Sequence, residues 1–294
     1  MSKVIVAMVS FNTKNHLEKC LKNLSRQQAV SGLEIWVLDN NSADGSAELV
    51  SQKFPKVKLI KSAENLGFAK GQNEILKKAR GDYYLLLNPD TEFSPDAVEK
   101  IVTFMEQNPG CGIAGCKLTD PSLKLQSNGG DLPFGVALLS WLFNLESIGI
   151  KSNFHRNDRE YYLKPREVGW VGGTFMMIRK EVLEKVGLLS PDYFMYVEDV
   201  DFCYRALNKG FKIMIDPGIE VRHISGASSK NPKFYQWKNE FSNLILFYRK
   251  NLGVFPSLVL KLLIYISVFL RMVVYALLGK GGPSLTYAKV LASI

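Results

Sequence analysis

The sequence predicts an α/β protein built on a doubly wound, mostly parallel sheet. Apolar strand-like runs alternate with amphipathic helical stretches through the first third of the chain, and three of those strands stop at a polar tip, Ser10, Asp39 and Asp90. Repeated βα units imply parallel strands joined by right-handed crossovers. The chain has 294 residues, of which 47% are apolar, enough for one large domain with an appendage. No low-complexity tract or internal repeat interrupts the pattern.

In order, the buried run 4–9 reads as the first strand, followed by an amphipathic helix from about Asn15 to Gln27 whose inner stripe is Leu17, Cys20, Leu21 and Leu24. Residues 34–38 form a second strand that ends at Asp39-Asn40-Asn41-Ser42, then a short helix over 46–54 and a third strand over 57–60. A helix over 68–79 leads to a fourth strand, 82–87, which stops at Asn88-Pro89-Asp90. Ser94-Pro95 reads as a cap and first-turn proline for a helix over 96–107. Between Leu118 and Lys164 the periodicity weakens, and the apolar stretch 132–150 reads as a functional insertion or lid. Order returns around Val168–Ile178, and two short strands are expected at 212–215 and 220–223.

The polar tips follow from the topology. Ser10, Asp39 and Asp90 each close a strand that leads into a helix, so all three lie at the carboxyl edge of one sheet, where open α/β sheets bind ligands. A carboxylate at Asp39 suits a base N–H or a ribose hydroxyl, whereas Ser42, Asp44 and Ser46 could equally cap the next helix. Asp90 offers a hard oxygen for Mg²⁺ or Mn²⁺ bridging a diphosphate, and His223, after a late strand, is a candidate imidazole ligand.

The densest acidic feature is Glu198-Asp199-Val200-Asp201, hemmed by aromatics at the start of a helix. Acids in an apolar setting are costly unless paired, metal-bound or used in proton transfer. The plainer reading is a helix N-terminus favoured by the macrodipole, with Asp201 paired to Arg205 one turn on. Gly172-Gly173 would allow close approach of backbone to a sugar or diphosphate. Trp170 could stack on a sugar face or sit in the core.

A net charge of +9 favours anionic partners, although no nucleic-acid module is recognisable and nucleic acid is not expected as a partner. The absence of G-x-G-x-x-G after any strand disfavours a dehydrogenase. Cys20, Cys111, Cys116 and Cys203 show neither C-x-x-C nor zinc spacing, which fits reduced thiols in a cytosolic setting. The first apolar run is too short for a secretory signal. After an aromatic-rich helix over 233–249, residues 255–278 are strongly apolar but carry Lys261 and Arg271, so the uncharged runs fall short of a spanning helix. Flanking Arg249, Lys250 and Lys280 suit an in-plane helix on an anionic membrane surface, with Arg271 among the lipid-facing cations. The alternative is core or homo-oligomer interface packing.

Taken together, these runs resemble the family-2 inverting glycosyltransferases of the GT-A fold, which implies a doubly wound mixed sheet with C-terminal amphipathic or apolar helices after it. The matching elements are Ser10-Phe11-Asn12, Asp39-Asn40-Asn41-Ser42-x-Asp44-Gly45-Ser46, Asn65-Leu66-Gly67-Phe68-Ala69-x-Gly71-x-Asn73 and Leu87-Asn88-Pro89-Asp90. Further along stand Gly172-Gly173-Thr174-Phe175, Glu198-Asp199-x-Asp201-Phe202-Cys203-x-Arg205 and Val221-x-His223. Within the family the chain is most similar to the rhamnosyltransferase-like branch. The resemblance implies a nucleotide-diphospho-sugar donor (dTDP-rhamnose or a UDP-hexose), a polyprenyl-diphosphate-linked saccharide acceptor, bacterial surface polysaccharide synthesis, and work at the inner face of the plasma membrane. It implies Asp199 as base with Glu198 and Asp201 beside it. Ser10, Asn12, Asp39, Asn41, Asn65, Gly67 and Asn88 would serve the donor, Trp170, Gly172, Gly173 and Thr174 the acceptor, and Asp90 with His223 the metal. Asn88 stands where the family's metal motif has its first acid, leaving Asp90 as the anionic ligand. The implied organisation is a catalytic domain over 1–230, with a donor half to about 117 and an acceptor half beyond it, then a helical segment over 231–294. A catalytically inactive nucleotide-sugar-binding scaffold is the alternative, and retention of Asp90, Asp199 and His223 together argues against it.

Overall fold

A computed structural model of the chain describes residues 2–27, 32–224 and 232–294. The described chain divides into two compact units. The first comprises Met1–Pro133, Asn153–Phe194 and Glu198–Ser228, and the second Phe134–Ser152, Met195–Val197 and Ser229–Ile294. The boundary expected near residue 230 falls outside the described residues.

The first unit is laid on one large mixed sheet. Strand β1 (Val4–Ser10) and helix α1 (Lys14–Leu24) open it, followed by β2 (Leu33–Asp39), α2 (Ser46–Lys53), β3 (Lys58–Lys61), α3 (Gly67–Lys78) and β4 (Tyr83–Leu87). The predicted stripe of α1 is the one that packs: Leu17, Cys20, Leu21 and Leu24 are all buried, each leucine contributing about 1.5–3 kcal/mol. Then come β5 (Thr91–Phe93), α4 (Ala97–Gln107), β6 (Cys111–Thr119), and the short β7 (Leu125–Gln126) and β8 (Gly129–Gly130). Asp96, rather than Ser94, flanks the start of α4.

Strands β3-β2-β1-β4 run parallel in that order, as the βα repeats predict. Beyond β4 the sheet is mixed, as the GT-A resemblance implies, where the βα repeats taken alone predict mostly parallel strands. After helix α5 (Gly135–Phe143) of the second unit and the short β9 (Arg166–Glu167) and β10 (Trp170–Val171), strand β11 (Phe175–Arg179) inserts antiparallel between β4 and β6. Helices α6 (Lys180–Val186) and α7 (Glu198–Leu207) follow. The two late strands expected at 212–215 and 220–223 are one strand, β12 (Lys212–His223), broken in register between Asp216 and Glu220. It pairs parallel to β6 and antiparallel to β5, closing the order β11-β6-β12-β5. All four cysteines are buried free thiols, and burial pushes Cys20 up to about 12, which keeps it protonated and unreactive.

The second unit contains α5, α8 (Pro232–Asn251), α9 (Val254–Leu277) and α10 (Gly281–Leu291). The stretch read as a lid therefore packs with the C-terminal helices. Phe134 stacks on Phe247 with centroids 6.0 Å apart. Arg271 of α9 donates through Nη2 to the carbonyls of Trp141 and Leu142 at 2.7 and 2.9 Å. Both carbonyls lie in the last turn of α5, that of Trp141 also accepting from the Asn144 N–H at 3.4 Å, and carbonyls at a helix C-terminus accept a guanidinium readily. The Arg271 guanidinium also lies 5.2 Å from the Trp237 ring centroid. Arg271 is thus an internal fastener and not the lipid-facing cation expected from its spacing. Helix α9 is continuous across both charged residues and is long and apolar enough to cross a membrane by length and composition.

Candidate active site

The parallel register places Ser10 beside Asp39 at the carboxyl edge. Asp39 is buried; its Oδ2 accepts from the Ser42 N–H at 3.0 Å, while its buried Oδ1 has no partner. A buried carboxylate oxygen without a donor is costly, and this one belongs to the last residue of β2, at the carboxyl edge of the sheet. The loop after it is stapled by Asn12, whose N–H donates to Ser42 Oγ at 3.0 Å and whose Oδ1 accepts from Ala43 N–H at 2.8 Å. Asn12 and Asn41 both adopt positive φ, 52° and 64°, a region asparagine tolerates. Ser10 Oγ is buried against Thr13 Oγ1 at 2.9 Å, so its part is to shape the strand end. Asp44 resolves as a local turn former: it accepts from Ser46 N–H, Ser46 Oγ and Lys14 N–H. Although burial pushes its pKa up, those bonds together hold it below the usual value.

Asn40, which the sequence reading did not single out, ties this loop to the next. It is buried, donating to Gly67 O at 3.0 Å and accepting from Leu66 N–H at 3.1 Å. Asn65 Oδ1 accepts from Gly67 N–H at 3.0 Å. Gly67 itself has φ 76°, and a Cβ there would lie 2.3 Å from the Phe194 carbonyl oxygen. Only glycine meets both conditions.

Asp90 and His223 are brought together by sheet pairing. His223 lies opposite Thr91, and Ile224 N–H donates to the Asp90 carbonyl at 3.0 Å. His223 Nε2 is 3.4 Å from Asp90 Oδ1. Gln126 donates through Nε2 to the His223 carbonyl at 3.1 Å, and its Oε1 lies 3.0 Å from Nδ1. With Oε1 as acceptor, Nδ1 carries a proton, and Nε2 is the ring nitrogen that faces the carboxylate. A carboxylate and an imidazole at this spacing would suit a divalent cation, since adjacent ligands on an octahedral ion with bonds of about 2.1 Å lie roughly 3 Å apart. Among the described residues no cluster of three metal-ligating side chains occurs, so a cation held by this pair would need further ligands from the substrate or solvent. Asn88, with its N–H on the Thr174 carbonyl at 3.0 Å, joins β4 to the 172–174 turn.

The acidic cluster divides into three roles. Asp199 is half-buried; its Oδ1 accepts from Val200 N–H at 2.8 Å and its Oδ2 from Gly173 N–H at 3.2 Å. Burial outweighs these bonds and raises its pKa to about 6, poised for proton transfer near neutrality. Glu198 is buried with Oε2 unpartnered; burial and then the Asp199 charge push its pKa well above the ordinary value, so it is held as the neutral acid. Asp201, expected beside the base, belongs instead to the core. Its Oδ2 accepts from Arg205 Nε at 2.8 Å and its Oδ1 from Tyr193 OH at 3.3 Å, because i and i+4 share the inner face of α7.

The glycine pair is required by crowding. A Cβ on Gly172 would lie 2.7 Å from Asn128 Oδ1, and one on Gly173 2.8 Å from Phe68 Cζ. Trp170 is not a sugar platform: it is buried, its indole N–H donates to the Phe154 carbonyl at 2.9 Å, and His155 stands edge-on at 5.2 Å between centroids. His155 was missed by the sequence reading, since a lone histidine in an aperiodic stretch gives no signal. It is half-buried, and its charge lowers the Asp199 pKa.

A carboxylate-tipped parallel edge, a carboxylate–imidazole pair and a perturbed acid beside a glycine turn define a sugar-transferring enzyme of the GT-A class. The fold is shared with the mannosyltransferase PcManGT from Pyrobaculum calidifontis, solved in complex with GDP-Man and Mn²⁺, at a TM-score of 0.61 and 17% identity over 99% of this chain and 74% of that one. Residues 5–187 match glycosyl transferase family 2, and the chain belongs to that family. It is 26% identical over 241 residues, 76% of each chain, to an N-acetylglucosaminyl-diphospho-decaprenol L-rhamnosyltransferase of Mycobacterium tuberculosis. It is 23% identical over 244 residues, 80% of this chain and 89% of the relative, to rhamnosyltransferase WbbL of Escherichia coli.

Proposed function

We propose that this glycosyltransferase moves a sugar, L-rhamnose in the first instance, from a nucleoside-diphospho-sugar to a polyprenyl-diphosphate-linked saccharide with inversion at the anomeric carbon. The observation that carries the proposal is Asp199, a half-buried carboxylate with a pKa of about 6 fixed by the Gly173 N–H. The acceptor hydroxyl attacks the anomeric carbon as the bond from that carbon to the diphosphate oxygen breaks. The hydroxyl proton passes to Asp199, and the nucleoside diphosphate leaves with the bonding electron pair. Neutral Glu198 keeps a second negative charge away from the base. Asp39 Oδ1 receives a donor base N–H or ribose hydroxyl, and Asn12, Asn40, Asn41, Asn65 and Gly67 hold the surrounding loops. Asp90 and His223 would hold Mg²⁺ or Mn²⁺, which supplies charge neutralisation for the departing diphosphate. The names of the two rhamnosyltransferase relatives support the donor sugar, and that of the Mycobacterium tuberculosis relative supports the lipid-linked acceptor. A lipid-linked acceptor presents its sugar at the cytoplasmic membrane face, where the enzyme would work.

The test is transfer from radiolabelled dTDP-rhamnose and UDP-hexoses to a short-chain polyprenyl-diphosphate-linked N-acetylglucosamine, with wild type and Asp199→Asn side by side. Product from dTDP-rhamnose that disappears in the variant, while dTDP binding persists, is the expected result. Product undiminished in the variant removes Asp199 from the role of base.

A further inference from the structure

The second unit carries a surface that sugar transfer leaves unused. Its segments hold ten lysines and arginines against two glutamates, a net +8 of the chain's +9. Along α9, Phe255, Leu258, Leu262, Ile266, Phe269 and Leu277 are all exposed. At roughly 100° per residue they fall within about 60° of one line, and the helix is about 36 Å long. The opposite face is buried at Ser257, Leu260, Ile264, Ser267 and Val268, and packs against α8 and α10. Arg271 points the same inward way, fastened to the last turn of α5.

We propose that this stripe docks the protein on an anionic bilayer surface, with α9 lying in the membrane plane. A spanning helix requires apolar surface around its whole circumference or a partner within the bilayer. Here one face is apolar and open, and the other holds two serines and an arginine inside protein. That two-faced character, with basic residues in excess, is the signature of an in-plane helix. Lys261, exposed at the flank of the stripe, lies with its Nζ 5.6 Å from the Tyr265 ring centroid, a stem laid along apolar surface with its charge at headgroup height. An apolar stripe of this length on a monomer marks an interaction site. Charge selects the occupant: a second copy would bring another +8 against this one, whereas anionic lipid neutralises it. The surface belongs to the second unit alone, so it stands or falls separately from the donor and base assignments.

The experiment is flotation of the full-length protein with vesicles of phosphatidylcholine alone or mixed with equal phosphatidylglycerol. Binding to the anionic vesicles, weakened in about 1 M salt, is expected, with weak binding to phosphatidylcholine. The Leu262→Asp/Phe269→Asp double variant should lose at least about tenfold in partition while keeping the wild-type circular dichroism spectrum. If that variant misfolds, Lys261→Glu/Lys280→Glu replaces it, with the same loss expected on anionic vesicles only. Light scattering without lipid should give a monomer. Equal partition of wild type and folded variants overturns the proposal. So does a lipid-indifferent dimer that the double variant dissociates, which would assign the stripe to contact between copies. Wild type retained on vesicles after alkaline carbonate extraction would replace the in-plane arrangement by a spanning one.

Discussion

In an Asp199→Asn variant the side chain keeps its shape but cannot take up a proton, so transfer should fall by about 10²–10⁴-fold. The same substitution has a stability signature with a defined pH dependence. In the fold, burial raises Asp199 from 3.8 to about 6. A carboxyl whose folded pKa lies above its unfolded value favours the fold while protonated, below the unfolded value. That contribution is lost as pH rises through about 6. The full difference is about 2 pKa units, or roughly 3 kcal/mol at pH 7.5. The asparagine amide avoids this cost but can accept only one of the two N–H bonds from Val200 and Gly173, a loss of about 1 kcal/mol. The variant should therefore be more stable than wild type by about 2 kcal/mol at pH 7.5, raising Tm by roughly 4–8 °C. Near pH 4 the gain should vanish or reverse. Calorimetry at pH 4, 6 and 7.5 reads the difference directly. A variant less stable at every pH, or one whose Tm difference ignores pH, would refute the account of Asp199 as a desolvated base.

Asp90→Ala should weaken nucleoside-diphosphate binding in calorimetry with Mn²⁺ and leave the residual binding in chelator unchanged, because the carboxylate acts through the ion; an equal loss in chelator would make the residue structural. Gly67→Ala should cost at least about 2 kcal/mol in denaturant unfolding, from positive φ together with the clash on the Phe194 carbonyl, and near-wild-type stability would contradict that geometry. In His155→Ala the positive charge that lowers Asp199 is gone, so the acidic limb of the transfer profile should move to higher pH. An unmoved limb would separate His155 from the base.

Much of this was legible beforehand because it lives in local pattern. The parallel strands β1, β2 and β4 end at Ser10, Asp39 and Leu87, so the topology alone placed Asp39 and Asp90 at one edge. The pairing of His223 with Asp90 followed from neither periodicity nor spacing; the ordered set of motifs pointed to it, and the antiparallel β5–β12 ladder makes it. Strand β11 is buried almost throughout, and a continuous apolar run carries no signal of direction; the residues themselves did not show its antiparallel insertion, and only the family resemblance implied a mixed sheet. Trp170 and Asp201 show the limit at the side-chain level. Each has a polar group that a ligand could use, and in each the group is already satisfied by partners distant in sequence or one turn along, Phe154 and Arg205. Arg271 is the same case within the second unit: its place in an apolar run reads as lipid-facing, and only the carbonyls of Trp141 and Leu142 show otherwise.

Under the proposed role of Asp90 and His223, the ladder between β5 and β12 would make cation binding a readout of completed assembly. Asp90 leaves the fourth strand early in the chain, but its imidazole counterpart arrives only with the final strand of the sheet. A nascent or partly opened chain can therefore present the whole parallel edge and still lack the Asp90–His223 pair. Any opening that peels β12 from β5 would release the ion before the parallel strands are disturbed. In reverse, an ion held by Asp90 and His223 would bridge two strands at the sheet's margin and clasp the edge where an open sheet is most prone to fray.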